Sequence, residues 1–272
     1  MQFALNYLIF GRISMRVIVP MTGNGSRFKK AGFSRLKPFI KVHGRPMIAW
    51  VCDMFPNQLV ELIIREEHIK KYPYILKELK LYCKNIKIHR VKNWKKKGPA
   101  YDIWRLLESD LNLKEDILIS YCDFYATWNF NKFIKFTQKN KADGIIPCYS
   151  GFHPHLLHPE NLYASCRSDK KYKLVEIREK YQTYSSKFED LTSPGLYYFR
   201  TGKLCKDYCS KLIKSRITIK DEFYLSLPYN IMIKDGYSVI TPVLVEYFCQ
   251  WGTPKDLEEY NFWMEKSFIK SL

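Results

Sequence analysis

A glycine-containing turn that follows a short apolar run holds the first side chains in this chain that are suited to chemistry. The run is Val17-Ile18-Val19, and the turn and the residues just after it are Gly23, Asn24, Gly25, Ser26 and Arg27. Glycines let backbone N–H groups approach an anion closely, and Arg27 together with Lys37 supplies fixed positive charge beside them. The pattern predicts a binding site for a polyphosphate such as the triphosphate of a nucleotide.

Two further features are predicted to lie at the same edge of a sheet. Gly98 opens a predicted helix, where the missing side chain lets a flat base approach the backbone. Asp123 follows an apolar strand over residues 117–121, and a carboxylate at a strand end suits Mg²⁺. In open α/β sheets ligands bind beyond the carboxyl ends of the strands, so these loops are expected to converge. For Asp123 taken alone, a turn or helix-capping role is the alternative.

Apolar runs and helical spacing predict how the first half of the chain is built. Strands are expected over residues 17–19, 59–64, 86–91, 117–121 and 144–149. Helices are expected after Pro46, over residues 66–82 with a break at Pro73, from Gly98, and from a cap at Asn129 to about 139. Strands that alternate with helices indicate βαβ units and a mostly parallel sheet.

The second half of the chain changes character. A hairpin is predicted from residues 162–167 and 172–179, with short strands over residues 195–199, 237–240 and 243–249. Helices are predicted over residues 202–213, 221–234 and 254–266. No linker rich in Gly, Ser or Pro divides the sequence. We therefore expect one domain over residues 15–272 with an inserted antiparallel lobe.

Composition limits the class of protein. The chain has 272 residues, of which 46% are hydrophobic, so a disordered chain is excluded. A formal net charge of +18 indicates an anionic partner, namely a nucleotide, a sugar phosphate, nucleic acid or a membrane surface. A proteome rich in lysine is the alternative explanation. The eight cysteines include no CxxC pair, which argues against a zinc ribbon and favours a reducing cytoplasm.

The N-terminal segment, residues 1–14, is mildly apolar but has neither the basic region nor the cleavage site of a secretion signal. We expect it to be an extension that precedes the fold, or a product of start-codon choice. No run of about 18 apolar residues follows, so no membrane span is predicted. Whether the chain forms a homo-oligomer stays open.

The order of these motifs resembles the nucleotidyltransferases that activate phosphorylated metabolites. Relatives in that family are the sugar-1-phosphate nucleotidylyltransferases and the phosphocholine cytidylyltransferases. The resemblance rests on GxGSR, Lys37-Pro38, Gly98-Pro99-Ala100 followed by Trp104, and Asp123 at a strand end. It continues in Glu179-Lys180, in SPGLY at residues 193–197 and in FCQWGTP at residues 248–254, which is similar to a closing Trp-x-Asp-x-Gly-Thr-Pro motif. Residues 16–260 are covered.

The resemblance implies an α/β fold, a Rossmann-like three-layer sandwich with a mixed, mostly parallel sheet and a small antiparallel acceptor-binding lobe. It implies that an acceptor phosphate attacks the α-phosphorus of a nucleoside triphosphate and that pyrophosphate leaves. The residues implied for nucleotide binding are Gly23, Asn24, Gly25, Ser26, Arg27, Gly98 and Pro99. Those implied for catalysis are Arg27, Lys37 and Asp123, with Mg²⁺ on Asp123. Those implied for the acceptor are Glu179, Lys180 and Gly195, with Lys180 on the phosphate.

The closing motif departs from the family pattern at the second metal ligand. Gln250 stands where the family usually has an aspartate. An amide oxygen binds Mg²⁺ more weakly than a carboxylate does. Either the metal depends mainly on Asp123, with Gln250 as a weaker ligand, or a nearby carboxylate such as Glu246 substitutes.

A histidine-rich segment at residues 151–158, GFHPHLLH, has no counterpart in the family pattern. Three interpretations stay open: a metal site formed by His153, His155 and His158, a structural loop stiffened by its prolines, or recognition of the acceptor. We favour contacts from His153 and His155 to an anionic acceptor.

Two rival functions are weighed against the nucleotidyltransferase hypothesis. A glycosyltransferase of similar fold typically holds its metal with an Asp-x-Asp pair, and Asp123 is followed by Phe124-Tyr125 instead. A nucleic-acid-binding protein fits the charge, but no known recognition motif is present. We predict a cytoplasmic, Mg²⁺-dependent enzyme that uses CTP or UTP and a sugar 1-phosphate to make a precursor of a surface or capsular polysaccharide. A cytidylyltransferase for a non-sugar phosphate is the alternative, and neither nucleic acid nor membrane is expected as a partner.

Overall fold

A computed structural model describes residues 15–158, 161–181 and 186–269 of the chain, and the predicted extension over residues 1–14 lies outside them. The strands are β1 (Met15–Pro20), β2 (Lys41–Val42), β3 (Arg45–Pro46), β4 (Val60–Arg65), β5 (Ile86–Val91), β6 (Asp116–Ser120), β7 (Phe124–Trp128), β8 (Gly144–Ile145), β9 (Ala164–Ser168), β10 (Leu174–Glu179), β11 (Leu191–Ser193), β12 (Leu196–Phe199), β13 (Val239–Ile240) and β14 (Val245–Gln250).

The helices match most of the predicted segments. They are α1 (Ser26–Lys30), α2 (Met47–Asp53), α3 (Glu66–Lys71), α4 (Tyr74–Tyr82), α5 (Pro99–Glu108), α6 (Phe130–Asn140), α7 (Gly202–Ser215), α8 (Leu227–Lys234) and α9 (Pro254–Ile269), with 3₁₀ turns at Lys37–Phe39 and Pro154–Leu157. The break between α3 and α4 falls at Pro73, as expected, and the side chain of Asn129 caps α6 by accepting from the N–H of Lys132.

A seven-stranded sheet forms the centre, in the order β13-β8-β12-β6-β1-β4-β5. Its neighbouring strands are parallel except around β12, which is antiparallel to both β6 and β8. The predicted mixed, mostly parallel sheet is therefore confirmed. The predicted hairpin is also present, because β9, β10 and β11 form a separate antiparallel sheet in the order β10-β9-β11.

Both faces of the central sheet are buried, which explains the continuous apolar runs in its strands. In β1, Val17 and Val19 pack in one cluster with residues of α2, α4 and α6, whereas Ile18 packs in another with residues of α5, α7 and α8. All three of these side chains are fully buried. Helices thus cover the sheet on both sides, giving the predicted three-layer sandwich.

Two predictions for individual elements were wrong. Residues 124–128 were not expected to form a strand, yet β7 pairs with β14 in an antiparallel ladder. The helix predicted over residues 221–234 begins only at Leu227, because the chain before it turns sharply. Lys220 and Asp221 have positive φ angles of 50° and 62°. Glu222 pairs back with Ile219, and Phe223 pairs with a distant loop instead of continuing a helix.

That pairing connects the start of α5 to the segment before α8. The N–H of Phe223 donates to the carbonyl of Lys97 at 2.8 Å, and the N–H of Ala100 donates to the carbonyl of Phe223 at 3.0 Å. Between them, Gly98 has a φ of +96°, and a Cβ on it would lie 2.6 Å from the Phe223 nitrogen. The glycine is therefore required both by its backbone conformation and by the close approach of another chain segment.

Within the part of the chain that the structure describes, no helix is long and apolar enough to cross a membrane. The eight cysteines are free thiols.

We expect Gly98→Ala to destabilise the protein more than Gly236→Ala does. Both glycines have positive φ, which costs an alanine about 1 kcal/mol, but a Cβ at Gly236 would meet open space. At Gly98 it would meet backbone atoms of Phe223, adding roughly 1–3 kcal/mol of overpacking. Urea denaturation of both variants measures the difference in the free energy of unfolding. Equal losses in the two variants would contradict the close approach at Gly98.

Candidate active site

A cavity of about 350 Å³ opens where β1, β5 and β6 end. Among the residues that line it are all those expected to bind nucleotide, namely Gly23, Asn24, Gly25, Ser26, Arg27, Gly98 and Pro99, together with Lys37 and Asp123. We call it the donor cavity. Three loops that are far apart in the sequence thus meet at the carboxyl edge of the sheet, as the strand order requires.

A second cavity, of about 740 Å³, adjoins the first and is bordered by the antiparallel sheet of β9, β10 and β11. We call it the acceptor cavity. It is lined by Glu179, Lys180, Gly195 and Gln250. The two cavities share seven lining residues, namely Ser26, Arg27, Lys96, Tyr121, Asp123, Glu222 and Gly252. The structure therefore brings most of the predicted site residues together around one common wall.

Lys37 joins the parts of this wall. Its Nζ donates to the Asp123 carboxylate at 2.5 Å and to the carbonyl of Gly252 at 2.8 Å. The lysine approaches closely because Gly25 has no side chain, and a Cβ on that glycine would lie 3.0 Å from the Cβ of Lys37. Gly25 also has a φ of +62°, which favours glycine. The glycine turn therefore serves the packing of Lys37 as well as the approach of an anion.

The closing segment places a second carboxylate near Asp123. The buried carboxylate of Asp256 accepts from the N–H of Thr253 at 2.8 Å and from the amide of Gln250 at 3.3 Å. One oxygen of Asp256 and one of Asp123 lie 3.5 Å and 3.7 Å from the position that a Cβ on Gly252 would take. The carboxylate beside Gln250 is thus Asp256, whereas Glu246 is exposed on β14 and does not line the cavity.

These oxygens suit the metal that the family resemblance implies. The amide oxygen of Gln250 is buried and has no hydrogen-bond partner among the residues that the structure describes. Together with the carboxylates of Asp123 and Asp256 it makes a set of hard oxygen donors, the type that Mg²⁺ prefers. Among residues 15–158, 161–181 and 186–269, no three His, Cys, Asp or Glu side chains come together as a metal-binding group. The candidate set is therefore two carboxylates and one amide.

Burial shifts the pKa values of Glu179 and Lys180 in opposite directions. Burial raises the pKa of Glu179 to about 6, and its carboxylate accepts from the Ser226 hydroxyl at 2.6 Å. Burial and the neighbouring Lys220 lower the pKa of Lys180. The Nζ of Lys180 lies 5.7 Å from the ring centroid of Tyr224, which also lines the acceptor cavity. An anion bound here would relieve the cost of holding this partly buried cation.

Comparison with known proteins supports the same architecture. No family model matches the sequence. The chain is 18% identical to a nucleoside-diphosphate-sugar pyrophosphorylase from Vibrio cholerae RC9, with a TM-score of 0.69 over 90% of this chain and 98% of that one. A UDP-glucose pyrophosphorylase complexed with UDP-glucose aligns at 14% identity and a TM-score of 0.71, covering 94% of this chain and all of the other.

A third solved structure, the inositol-1-phosphate CTP transferase from T. maritima, aligns at 14% identity with a TM-score of 0.68 over 93% of this chain and 96% of its own. The chain has the nucleotidyltransferase fold. A curated relative from Sulfolobus acidocaldarius, named "Putative mannose-1-phosphate guanyltransferase", is 22% identical over 230 residues, or 81% of this chain. The chain spans 60% of that relative's length. The resemblance predicted from the motifs is thus confirmed at the level of the fold.

Within the nucleotidyltransferase fold, no residue of the histidine segment lines either cavity, although His155 packs against Tyr163 and Phe248, which line the acceptor cavity. His153 and His155 are buried, and neither lines the donor or the acceptor cavity. His155 is hydrogen-bonded to the Tyr149 hydroxyl at 2.8 Å, and its ring packs edge-on against Phe248. Burial lowers the pKa of His155 to about 3, so this side chain is neutral at physiological pH. The contacts are those of a structural loop, one of the three interpretations that the sequence left open.

Several residues in the cavities were missed by the sequence interpretation. Thr22, Asp102 and Tyr121 line the donor cavity, and Asp256 lines the acceptor cavity. For Asp256 a signal existed, because Thr253 and Asp256 have the spacing of a helix capping box, and their side chains each bond the other's backbone N–H. For the other three, no local pattern distinguishes them from ordinary loop and helix residues.

The raised pKa of Glu179 predicts a pH dependence of stability. Between pH 4.5, the ordinary pKa of a glutamate, and about pH 6, the folded protein holds more protons on this group than the unfolded chain does. Its contribution is fully present below pH 4.5 and is lost as the pH rises through about 6. We expect the stability of the wild type relative to Glu179→Gln to fall by roughly 2 kcal/mol across this window.

Urea titrations at several pH values from 4.5 to 7 measure this effect. Glu246→Gln, which removes an exposed carboxyl on β14, is the matched control for the loss of one charge. A stability difference between wild type and Glu179→Gln that stays constant over the window would show that Glu179 is not held in a desolvated state.

Proposed function

We propose that the protein transfers a nucleoside monophosphate from a nucleoside triphosphate to a phosphorylated small-molecule acceptor and releases pyrophosphate. The observation that carries this proposal is the common wall of the two cavities, which includes Ser26, Arg27 and Asp123. A triphosphate in the donor cavity and a phosphate in the acceptor cavity would meet there. An oxygen of the acceptor phosphate attacks the α-phosphorus, and the bond from that phosphorus to the leaving pyrophosphate breaks.

On the donor side the chain's own residues bind and neutralise the triphosphate. The backbone of the glycine turn offers N–H groups, and Arg27 and Lys37 offer fixed cations to the β- and γ-phosphates. Positioning and charge neutralisation are the main contributions that a protein makes to phosphoryl-group transfer. Since Lys37 already contacts Asp123, an incoming phosphate would exchange one anionic partner of this lysine for another.

On the acceptor side, Lys180 binds the phosphate and Glu179 accepts hydrogen bonds from hydroxyl groups. This pairing suits a sugar 1-phosphate, which carries one dianionic group beside several hydroxyls. A polyol or other non-sugar phosphate has the same chemistry and is the alternative acceptor. Asp123, with Gln250 and Asp256, would hold Mg²⁺, which when bound stabilises the negative charge that develops on the phosphates.

The proposal also specifies the base of the donor nucleotide and the biological role of the product. We take CTP or UTP as the donor, as expected from the sequence, and a nucleotide-activated precursor of a surface or capsular polysaccharide as the product. These two statements rest on the family resemblance. The named activities of the similar proteins, which use sugar 1-phosphates and inositol 1-phosphate, support the acceptor class.

A pyrophosphate-release screen tests the function. CTP, UTP, GTP and dTTP are each combined with a panel of sugar 1-phosphates and non-sugar phosphates in the presence of Mg²⁺. We expect at least one pair to release pyrophosphate, and we expect EDTA to abolish the release. Asp123→Ala should lower kcat/KM on the order of 100-fold or more. If no pair exceeds the Asp123→Ala background, the proposed activity is wrong.

A matched pair of variants separates a specific contact from the general effect of net charge. Arg27→Ala and Lys30→Ala each remove one cation from α1, but only Arg27 lines the cavities. We expect a loss on the order of 100-fold for Arg27→Ala and a change within about 2-fold for Lys30→Ala. Equal losses would mean that the overall charge, and not the common wall, attracts the substrate.

Replacing Gln250 tests the assignment of the closing segment. We expect Gln250→Asp to retain or raise activity, with a half-saturating Mg²⁺ concentration lowered by up to about 10-fold, because a carboxylate is a stronger ligand than an amide. The measurement is a Mg²⁺ titration of pyrophosphate release by the variant and the wild type. A complete loss of activity would show that Gln250 acts instead through its hydrogen bond to Asp256.

A further inference from the structure

A buried carboxylate in the donor cavity has no role in the reaction described above. Asp102 lies in the first turn of α5, and only 5% of its surface is exposed. It lines the donor cavity together with Gly98 and Pro99, the residues expected to lie against the base. It stands outside the common wall where the phosphates would meet, since it does not line the acceptor cavity.

Among the described residues, only uncharged groups hydrogen-bond this carboxylate. The hydroxyl of Thr22 donates to one oxygen, and the indole N–H of Trp94 donates to the other at 3.0 Å. No Lys, Arg or His among the described residues lies within ion-pair distance of Asp102. Burial raises the pKa of its carboxyl to about 6, so at neutral pH the group is mainly ionised. Each oxygen keeps a further lone pair with which it can accept another hydrogen bond.

The two donors also fix where this carboxylate lies. Thr22 belongs to the loop after β1 and Trp94 to the loop after β5, and both residues line the donor cavity. The guanidinium of Arg65 stacks on the Trp94 ring at 4.4 Å and donates to the side chain of Asn24 at 2.5 Å. The carboxylate is therefore held from two sides on the wall of the cavity. Arg65 and Arg105 attract this carboxylate only from beyond ion-pair distance. A ligand that donates a hydrogen bond would therefore offset part of the cost of burying the charge.

An ionised carboxylate accepts hydrogen bonds and cannot donate them. Cytosine carries an exocyclic amino group at the position where uracil and thymine carry a carbonyl oxygen, and guanine also has an exocyclic amino group. An amino group would donate to Asp102, whereas a carbonyl oxygen in the same place would face it lone pair to lone pair. A site built around such a hydrogen bond discriminates strongly against an analogue that lacks the donor.

We propose that Asp102 is a specificity-determining residue that selects nucleoside triphosphates whose base carries an exocyclic amino group, such as CTP or GTP, over the keto pyrimidines UTP and dTTP. The inference rests on the proposed function, and it narrows the expected choice between CTP and UTP to CTP. The role of Asp102 is recognition of the base edge, while Thr22 and Trp94 position its carboxylate.

The test compares wild type and Asp102→Asn for kcat/KM with CTP, GTP, UTP and dTTP at a fixed acceptor. We expect the wild type to prefer CTP or GTP over UTP and dTTP at least about 10-fold. The asparagine keeps the shape and one acceptor oxygen, but its NH₂ group can donate to a base carbonyl. We therefore expect the CTP/UTP ratio to shift toward UTP at least about 10-fold. Asp207→Asn, a substitution of a half-exposed side chain on α7, controls for the loss of one charge and should leave the ratio unchanged.

The outcomes separate the two proposals. Pyrophosphate release with equal use of CTP, GTP and UTP by the wild type would overturn the role of Asp102 while leaving the activity intact. A uniform loss of kcat/KM with all nucleotides in Asp102→Asn would also overturn it, because such a loss would show that Asp102 only holds the two loops together. If no nucleotide releases pyrophosphate, the proposed function fails, and calorimetric binding of CTP against UTP to the wild type then decides the inference alone. Should Asp102→Asn not fold, the wild-type preference is the deciding measurement.

Discussion

The ammonium group of Lys37 is the point on which the geometry of the site depends. It contacts the Asp123 carboxylate and the Gly252 carbonyl, which lie 86 and 215 residues away in the sequence. Three segments that belong to different parts of the fold are thereby held around one charge. The contact requires the absence of a side chain at Gly25, so the position of Lys37 depends on the glycine turn. A bound triphosphate would compete with Asp123 for the ammonium group of Lys37.

Two buried carboxylates differ in the groups that compensate their negative charge. Glu61 is buried between Arg16 and His89. Burial by itself raises the pKa of this carboxyl, but the hydrogen bonds with Arg16 and His89 lower it to about 2. Asp102 is buried to a similar extent but has only the uncharged donors of Thr22 and Trp94, and its pKa is about 6. The first carboxylate is neutralised within the fold. The second keeps unsatisfied accepting capacity beside a cavity, where a ligand can use it.

The closing segment has a carboxylate close to the position where its motif is altered. Gln250 is neutral, whereas the family that the sequence resembles usually has an aspartate at this position. The side-chain amide of Gln250 donates a hydrogen bond to Asp256, which lies in the first turn of α9. The backbone of Thr253 and the side chain of Gln250 together orient the Asp256 carboxylate toward the region of Gly252 and Asp123. Acidic oxygen near Asp123 is thus supplied by the start of a helix, which a comparison of motifs position by position does not reveal.

The sequence by itself determined what depends on short-range order. The β-branched run of β1, the proline break between α3 and α4 and the Asn129 cap follow from local sterics and hydrogen bonding, and the alternation of strands and helices predicted the parallel sheet. From that, the convergence of Arg27, Lys37, Gly98 and Asp123 followed, because parallel strands end at one edge. Only the tertiary structure decided the contacts made across long sequence separations. The pairing of Phe223 with the Gly98 loop overrode a helical pattern, and the ladder with β14 made residues 124–128 a strand. The burial of Asp102 beyond ion-pair distance of any described cation arose from two loops closing over it. Such features carry no local signal, since their energy comes from which groups the folded chain brings together and which it shields from water.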